Sequence, residues 1–372
     1  MTQISVVDRE HMARALQLAE RGLYTTTPNP RVGCVLVEPV SQRIVGEGFH
    51  RKAGEAHAEV NALRMAGDEA AGTTVYVTLE PCSHTGKTGP CCDALIAAEV
   101  ARVVYAMEDP NPAVAGRGVE RLRAAGILVD GPLMEVQAAA LNPGFIKRMR
   151  TGLPWVYCKL AMSLDGRTAM ANGESQWITG PCARADVQRL RARSCAIVTG
   201  VETVLQDKPA LTVRDPAIDM LGRQPLRVVV DSRQRTPMDA SIFQQPGRSC
   251  LATGLAATLV DKHPVFNDAA NVSLWHLPSA DGRVDLRQLL QKLASDEQCN
   301  EVMIEAGPAL AGAFVADNLV DELQIYMAGT LLGSLAKPLL ELPFVAMSQR
   351  RRLRIVDIRA LGDDWRISAR PE

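Results

Sequence analysis

Ala56-His57-Ala58-Glu59 and, further along, Thr78-Leu79-Glu80-Pro81-Cys82 with Cys91 beyond it decide how this chain is to be read. The first stretch predicts a helix from His57 to Ala66, opening after Gly54 and closed by Gly67. The second lies at the end of a predicted strand, Thr74 to Leu79, whose β-branched alternation delivers Cys82 at its tip. One imidazole and two thiolates are donors that suit zinc, and a catalytic zinc keeps three protein ligands so that a fourth position stays open. His57, Cys82 and Cys91 are therefore the expected ligands of one zinc per chain, with the Glu59 carboxylate beside them as the proton carrier. Cys92 adjoins Cys91 in a helical segment, where neighbouring side chains diverge by about 100°. Only one of the pair can face the metal, so Cys91 is assigned to it and Cys92 to the core. The spacer between Cys82 and Cys91 would carry His84 and Lys87 over the site.

Zinc lowers the pKa of a bound water from about 15.7 to about 7, which makes a nucleophile available at neutral pH. Hydrolytic deamination of a nucleobase-like ring also needs a carboxylate that moves a proton to the leaving amine. The zinc deaminases of bases and nucleosides carry H-x-E and then P-C-x-x-C; here the second half has a longer spacing between its cysteines. A structural zinc, a redox couple or two buried thiols would explain the cysteines taken singly. Their order, and their placement on a helix start and a strand end, favours a catalytic zinc.

Working outward, 372 residues with 47% apolar content suggest two to three domains with separate cores. Lys plus Arg number 41 against 42 for Asp plus Glu, a net charge of −1 that supplies no general attraction to nucleic acid. An anionic substrate must then be held by local arginines. An aromatic content of 4% argues against a stacking platform for single strands. No stretch reads as a signal peptide or a membrane span, and nine cysteines, an odd number, fit a reducing cytoplasmic compartment better than a disulfide framework.

The chain opens on an amphipathic helix marked by Met12, Ala15, Leu16, Ala19 and Leu23. A predicted hairpin, Val32 to Val37 and Ile44 to Gly48, precedes the His57 helix and the Thr74 strand. Then come the Cys91 helix, a strand from Arg102 to Met107, a helix from Gly118 to Ala125 and a strand from Ile127 to Val129, the alternation of a layered α/β domain. Asn29, between two prolines ahead of the first strand, is either a turn residue or an amide that reads a pyrimidine edge. A basic helix, Phe145 to Arg150, leads to a boundary at Thr151-Gly-Leu-Pro154, giving domains 1–150 and 151–372. Its cations could hold a phosphate or simply compensate the helix end. The second domain predicts strands at Trp155 to Met162, Ala196 to Gly200, Leu226 to Asp231 and Glu301 to Glu305, with helices at Pro181 to Arg193 and Leu286 to Ala294. The last of these strands runs into Ala306-Gly307-Pro-Ala-Leu-Ala-Gly312, a strand, glycine loop and helix that could cradle phosphate or serve packing alone.

From end to end the chain resembles the bifunctional deaminase-reductases of riboflavin biosynthesis. Thr27-Pro-Asn-Pro-Arg-Val-Gly-Cys34, Ala56-His-Ala-Glu59, Thr78-Leu-Glu-Pro-Cys-Ser-His84, Asp109-Pro-Asn-Pro112 and Val114-Ala-Gly-Arg-Gly118 are similar to the deaminase half, long cysteine spacing included. Lys159-Leu-Ala-Met-Ser-Leu-Asp-Gly166, Gly173-Glu-Ser-Gln-Trp-Ile-Thr179, Asp207-Lys-Pro-Ala-Leu-Thr-Val-Arg214 and Ile304-Glu-Ala-Gly307 are similar to the reductase half. The resemblance implies a cytidine-deaminase-like three-layer α/β domain followed by a dihydrofolate-reductase-like domain. It implies deamination of a diaminopyrimidinone ribosylamine 5′-phosphate, then reduction of the ribosyl chain to ribityl with NADPH. It places the zinc ligands on His57, Cys82 and Cys91 and the proton shuttle on Glu59. Cofactor contacts fall on Ala161, Trp177, Thr203, Asp207, Ser232 and the loop Gly307, Pro308, Ala309, Leu310, Ala311, Gly312 and Ala313; substrate contacts fall on Ser175, Arg191, Leu211, Arg214 and Glu305.

Arg191 and Arg214 are fork donors suited to a sugar phosphate, and Glu305 can accept from ribose hydroxyls or pyrimidine N–H groups. Lys159, Asp165 and Asp207 all remain open for the proton that accompanies hydride transfer. The partners expected are a phosphorylated pyrimidine and further copies of the chain in a homo-oligomer, with no nucleic acid and no membrane. Two rivals stand: a nucleoside or transfer-RNA deaminase with a fused accessory domain, and a zinc-stabilised binding module without turnover.

Overall fold

The computed structural model describes residues 4–83, 89–112, 115–256 and 271–372, so His84, Lys87 and Val114 lie outside the described residues. The chain divides into two compact units, Met1–Gly152 and Leu153–Glu372.

In unit 1, α1 (Val6–Glu20) leads to β1 (Gly33–Val37), β2 (Ile44–Phe49), α2 (Ala58–Ala66), β3 (Thr74–Val77), α3 (Cys91–Ala97), β4 (Arg102–Tyr105), α4 (Arg117–Ala124), β5 (Leu128–Asp130), α5 (Glu135–Leu141) and α6 (Pro143–Thr151). The strands form one sheet in the order β2-β1-β3-β4-β5, antiparallel at β2/β1 and β1/β3 and parallel at β3/β4 and β4/β5. β1 and β3 are buried at every position, which an alternating, one-sided sheet would not produce; helices cover both faces. Close approach fixes where α2 lies. A Cβ on Gly48 would sit 2.3 Å from the Ala58 carbonyl oxygen, so β2 carries glycine where the start of α2 presses against it.

A buried carboxylate locks this layer together. Asp8 caps α1 with Ser5 and also accepts from the Tyr76 hydroxyl at 2.8 Å and from Arg102 at 2.6 Å, while Arg102 bonds Asp130 at 2.8 Å. One acid thus ties α1 to β3, β4 and β5. The basic helix α6 likewise has a structural role, since Arg148 donates to the Pro28 carbonyl at 3.2 Å, and Asn142 accepts from the Arg31 N–H at 2.8 Å. Together they hold the Thr27–Arg31 loop in place.

In unit 2, β6 (Trp155–Ser163), β7 (Arg167–Ala169), α7 (Pro181–Arg193), β8 (Ala196–Gly200), α8 (Val201–Asp207), β9 (Leu226–Val230), β10 (Ser249–Thr253), β11 (Val272–His276), α9 (Leu286–Ser295), β12 (Glu301–Ile304), α10 (Pro308–Ala316), β13 (Glu322–Ala328), β14 (Lys337–Pro338), β15 (Leu353–Leu361) and β16 (Asp364–Pro371) follow in order. Nine strands form the sheet β11-β10-β9-β8-β12-β6-β13-β16-β15, parallel until β13 and antiparallel at β13/β16 and β16/β15. The chain winds outward from β8 to β11 and returns to insert β12 between β8 and β6. Ligands bind beside the carboxyl ends of parallel strands where strand order reverses in this way. Here those ends launch α8 from Gly200 and α10 from Gly307, on adjacent strands.

Candidate active sites

The deaminase-like constellation assembles from two helix starts and one strand end. His57 is the N-cap of α2, Cys91 opens α3, and Cys82 sits just past β3. Their ligand atoms lie within 4.8 Å of one another. His57 Nδ1 is 3.2 Å from Cys91 Sγ and 3.7 Å from Cys82 Sγ. Tetrahedral zinc with its usual bond lengths needs N to S separations of about 3.5 Å, so the three donors fit one ion by spacing as well as by chemistry. Cys92 Sγ turns away and donates to the Pro81 carbonyl at 3.3 Å.

Electrostatics in this corner are those of a site short of positive charge. The hydrogen bond from the Cys91 thiol, helped by His57, outweighs burial and pulls Cys82 down to about 4, whereas that shared proton and burial push Cys91 up. The bond to Cys82 raises His57. Burial, and then the Cys82 thiolate, lift the Glu59 carboxyl to about 7, against the pull of His57. Glu59 is 4% exposed and is the second residue of α2 after the His57 cap, with the Cys91 thiol in reach of it.

Sequence alone does not single out His50, yet its ring stands edge-on to His57 at 5.2 Å. Its Nδ1 bonds the Ala56 carbonyl at 3.2 Å, which leaves Nε2 to accept from the Asn29 amide at 3.0 Å. His50 thus links the His57 ring to Asn29, which is presented by the loop that α6 anchors. The only sequence signal for His50 is its place at the end of a strand, one residue beyond β2.

Glu80 is likewise silent in the sequence. It is 2% exposed and gathers four backbone N–H groups, those of Gly118 (2.9 Å) and Val119 (3.3 Å) on one oxygen and Gly116 (3.0 Å) and Asp109 (3.3 Å) on the other. A Cβ at Gly118 would come 2.0 Å from the Pro81 carbonyl oxygen, so this loop and the Cys82 strand end are in direct contact.

In unit 2, Glu305 follows β12 and is clasped by Arg191 through Nε at 2.9 Å and Nη2 at 2.8 Å, with Lys159 Nζ at 3.7 Å. Burial pushes the Glu305 carboxyl up, but Arg191 and Lys159 prevail and hold it at about 2. The third Arg191 nitrogen donates to the Thr212 carbonyl at 3.3 Å, so the fork that the sequence offers to phosphate is engaged within the protein. Arg214 keeps an exposed side chain, and Leu211 is buried beside Thr212.

Asp165 accepts from the Ser163 hydroxyl and from the N–H groups of Leu332 (3.1 Å) and Gly333 (2.8 Å), which makes it a loop clamp. The Asp207 carboxyl faces the Ser175 hydroxyl at 3.5 Å, and burial raises its pKa. Trp177 is 70% exposed, with the Arg184 guanidinium 4.8 Å from its ring centre. Ser232 Oγ accepts from the Val284 N–H at 3.2 Å, and Thr168 Oγ1 donates to the Ala161 carbonyl at 3.0 Å.

The glycines of the Gly307–Ala313 segment have different reasons. At Gly307, the N-cap of α10, a Cβ would be 3.9 Å from Thr203 Oγ1 and meet nothing closer; at Gly312 it would be 2.2 Å from the Glu341 carbonyl oxygen. The first leaves an open helix start near a hydroxyl, the second is packing.

Known proteins place these features in one family. Residues 5–107 match the cytidine and deoxycytidylate deaminase zinc-binding region, and residues 154–367 match the RibD C-terminal domain. The riboflavin biosynthesis protein RibD of Escherichia coli is 52% identical, covering 96% of this chain and 97% of its own length; that of Haemophilus influenzae is 44% identical over the whole of both. A solved RibD structure from Acinetobacter baumannii superposes with a TM-score of 0.90 at 46% identity, covering 98% of this chain and 99% of the other. The Thermotoga maritima diaminohydroxyphosphoribosylaminopyrimidine deaminase/5-amino-6-(5-phosphoribosylamino)uracil reductase does so at 0.85 with 30% identity, over 98% and 99%. The chain belongs to the RibD family, the bifunctional deaminase-reductases of riboflavin biosynthesis.

Proposed function

We propose that residues 1–150 deaminate the ring of a diaminopyrimidinone ribosylamine 5′-phosphate and that residues 151–372 reduce its ribosyl chain with NADPH. The observation that carries the first half is the convergence of His57, Cys82 and Cys91 beside the buried Glu59. His57, Cys82 and Cys91 would hold zinc, which would supply the Lewis acidity that activates water. Glu59 takes the proton released as water adds to the ring carbon and passes it to the departing amine, so a C–O bond forms, a C–N bond breaks and ammonia leaves. Its burial beside the three ligand atoms keeps that proton out of solvent. Asn29, oriented by His50, offers the ring a donor and acceptor edge.

For the second half, the open N-terminus of α10 at Gly307 with Thr203 alongside suits a cofactor phosphate, and the exposed Trp177 suits a flat ring. NADPH, when bound, would supply the hydride that reduces the first carbon of the opened sugar. The chain's own residues hold the two ligands in register and move one proton. With Asp165 committed to Leu332 and Gly333, that proton role falls to Lys159 or Asp207. Arg191 acts by fixing Glu305, and Arg214 is the free fork for the substrate phosphate.

The odd count of nine cysteines suits a reducing, cytoplasmic setting. A homo-oligomer is supported by β15, an edge strand. Its bulge near Val356 keeps Leu353, Ile355 and Ile358 on one exposed face with Trp365 of β16, an apolar strip suited to a second copy. Sedimentation of the purified chain tests this, and a monomer at micromolar concentration would refute it. Purified protein given zinc, the diaminopyrimidinone substrate and NADPH should release ammonia and then oxidise NADPH. Ammonia without NADPH oxidation, even from the deaminated intermediate, would leave only the fused-deaminase reading.

A further inference from the structure

We infer that Lys337 is a further ligand-positioning cation of the reduction site, contacting a phosphate group. The inference rests on the reading that unit 2 reduces the ribosyl chain. Lys337 belongs to none of the motifs that identify the reductase half; its position comes from the chain that folds back after β13. There β14 pairs with β7, placing Lys337 opposite Ala169, and the Leu339 N–H donates to the Gly166 carbonyl at 3.1 Å. Arg167 adds a bond to the Ala336 carbonyl at 3.4 Å, and Ala336 is buried. The backbone on either side of Lys337 is thus pinned.

Its half-buried side chain reaches the turn from Met170 to Glu174: a Cβ on Gly173 would be 4.0 Å from Lys337 Nζ and 3.8 Å from Gln206 Oε1. The same turn leads to Ser175, whose hydroxyl faces Asp207. Lys337 and Lys159 both act on the Asp207 carboxylate through space, yet among the described residues neither closes an ion pair onto it. Lys159 is drawn to Glu305 instead. The Lys337 ammonium has no hydrogen bond or ion pair among the described residues, unlike Lys159 and Arg191. An ammonium that no protein group engages stays available to a ligand anion, and a charge-assisted hydrogen bond to phosphate is of the stronger kind. A compact charge on a flexible stem is a fitting phosphate contact. The substrate and the cofactor both carry phosphate, and Ser175 and Asp207 are assigned one to each, so Lys337 stands where the two would meet.

The test uses the full chain with Lys337→Met and Lys337→Arg, measuring NADPH oxidation with the deaminated ribosylaminopyrimidine phosphate and NADPH binding by fluorescence. Lys337→Met should lower kcat/KM about tenfold or more, as expected for loss of a charge-assisted hydrogen bond. Lys337→Arg should restore most of it, and deamination by the same samples should not change. A raised KM for the pyrimidine with unchanged NADPH affinity assigns the contact to the substrate phosphate; weakened NADPH binding assigns it to the cofactor. Unchanged affinity for both ligands overturns the inference, whether or not kcat falls. So does a Lys337→Arg protein as impaired as Lys337→Met with an equally lowered melting temperature, which marks a structural residue. Wild-type protein run alongside keeps the readings apart: turnover by the wild type with an unaffected Lys337→Met overturns Lys337 alone, whereas no wild-type turnover overturns the reduction itself.

Discussion

Replacing Glu80 by alanine should damage the deaminase-like unit more than its absence from the chemistry suggests. Its two oxygens receive four N–H groups from Asp109, Gly116, Gly118 and Val119. Each buried N–H left without a partner costs about 1–3 kcal/mol. Water entering the vacated space would satisfy some of them, so with about half left unpaired the total loss is about 3–5 kcal/mol. For a unit the size of Met1–Gly152, about 3 °C per kcal/mol applies, which lowers its melting transition by about 10–15 °C. Because Gly118 presses on Pro81, the released loop also frees Cys82, and zinc affinity should fall together with stability. Glu80→Gln keeps one accepting oxygen and turns a donor toward other donors, so it should fall between wild type and alanine. The assays are calorimetry of the full chain, where only the transition of unit 1 should move, and zinc transfer to a competing chelator. A Glu80→Ala protein that melts within about 3 °C of wild type and holds zinc equally well would show that the loop is kept in place by other contacts.

Glu59→Gln should retain zinc while deamination falls by about 10²–10⁴-fold, the usual worth of a positioned proton carrier; metal analysis and ammonia release check this, and full activity would remove Glu59 from its role. His57→Ala should lose both zinc and deamination yet still oxidise NADPH with the deaminated substrate, and loss of both reactions would contradict independent sites. Glu305→Gln leaves the Arg191 guanidinium, largely buried, without its ionic partner. It should destabilise unit 2 by about 3–5 kcal/mol, seen as a lowered transition for that unit alone; an unshifted transition would refute the pairing. The acid limb of stability should carry Asp8: burial pushes its carboxyl up, but Arg102, Ser5 and Tyr76 overcome this and hold it at about 2, below its ordinary 3.8. The folded state therefore binds fewer protons than the unfolded chain between those values, so the contribution is full above 3.8 and drains away as pH falls toward 2. Urea midpoints of wild type and Asp8→Asn should converge over that interval, and a constant gap would show that charge is not what Asp8 contributes.

What the sequence reveals about this molecule depends on whether a residue's partners are near in the chain or its pattern is regular. His57, Cys82 and Cys91 are legible because each sits at the end of a strongly patterned element, and α7 and β8 have the bounds their patterns predict. β15 escapes because a bulge interrupts its alternation and arginines occupy its exposed positions. β10 escapes because its buried run of Ser, Cys, Leu, Ala and Thr has few of the β-branched or large apolar residues that mark β1 and β9. The residues that sequence leaves open or silent are charged ones whose partners are distant backbone groups. Asp165 offers a carboxylate to any proton-transfer scheme, yet it is spent on Leu332 and Gly333. Arg227 is fully buried with the carbonyls of Ile242, Gln245, Pro246 and Gly247 around its guanidinium. Glu80 does the same with N–H groups. In each case a full charge serves peptide dipoles, and for the buried Arg227 and Glu80 these satisfy it in a low-dielectric interior. Sequence displays the charge and hides the dipoles, so a loop fastening of this kind is not legible before the fold is. Lys337 differs in having no hydrogen bond or ion pair on its ammonium among the described residues, while its backbone is pinned on both sides, so its charge is held near Ser175 and Asp207 and left available to a ligand.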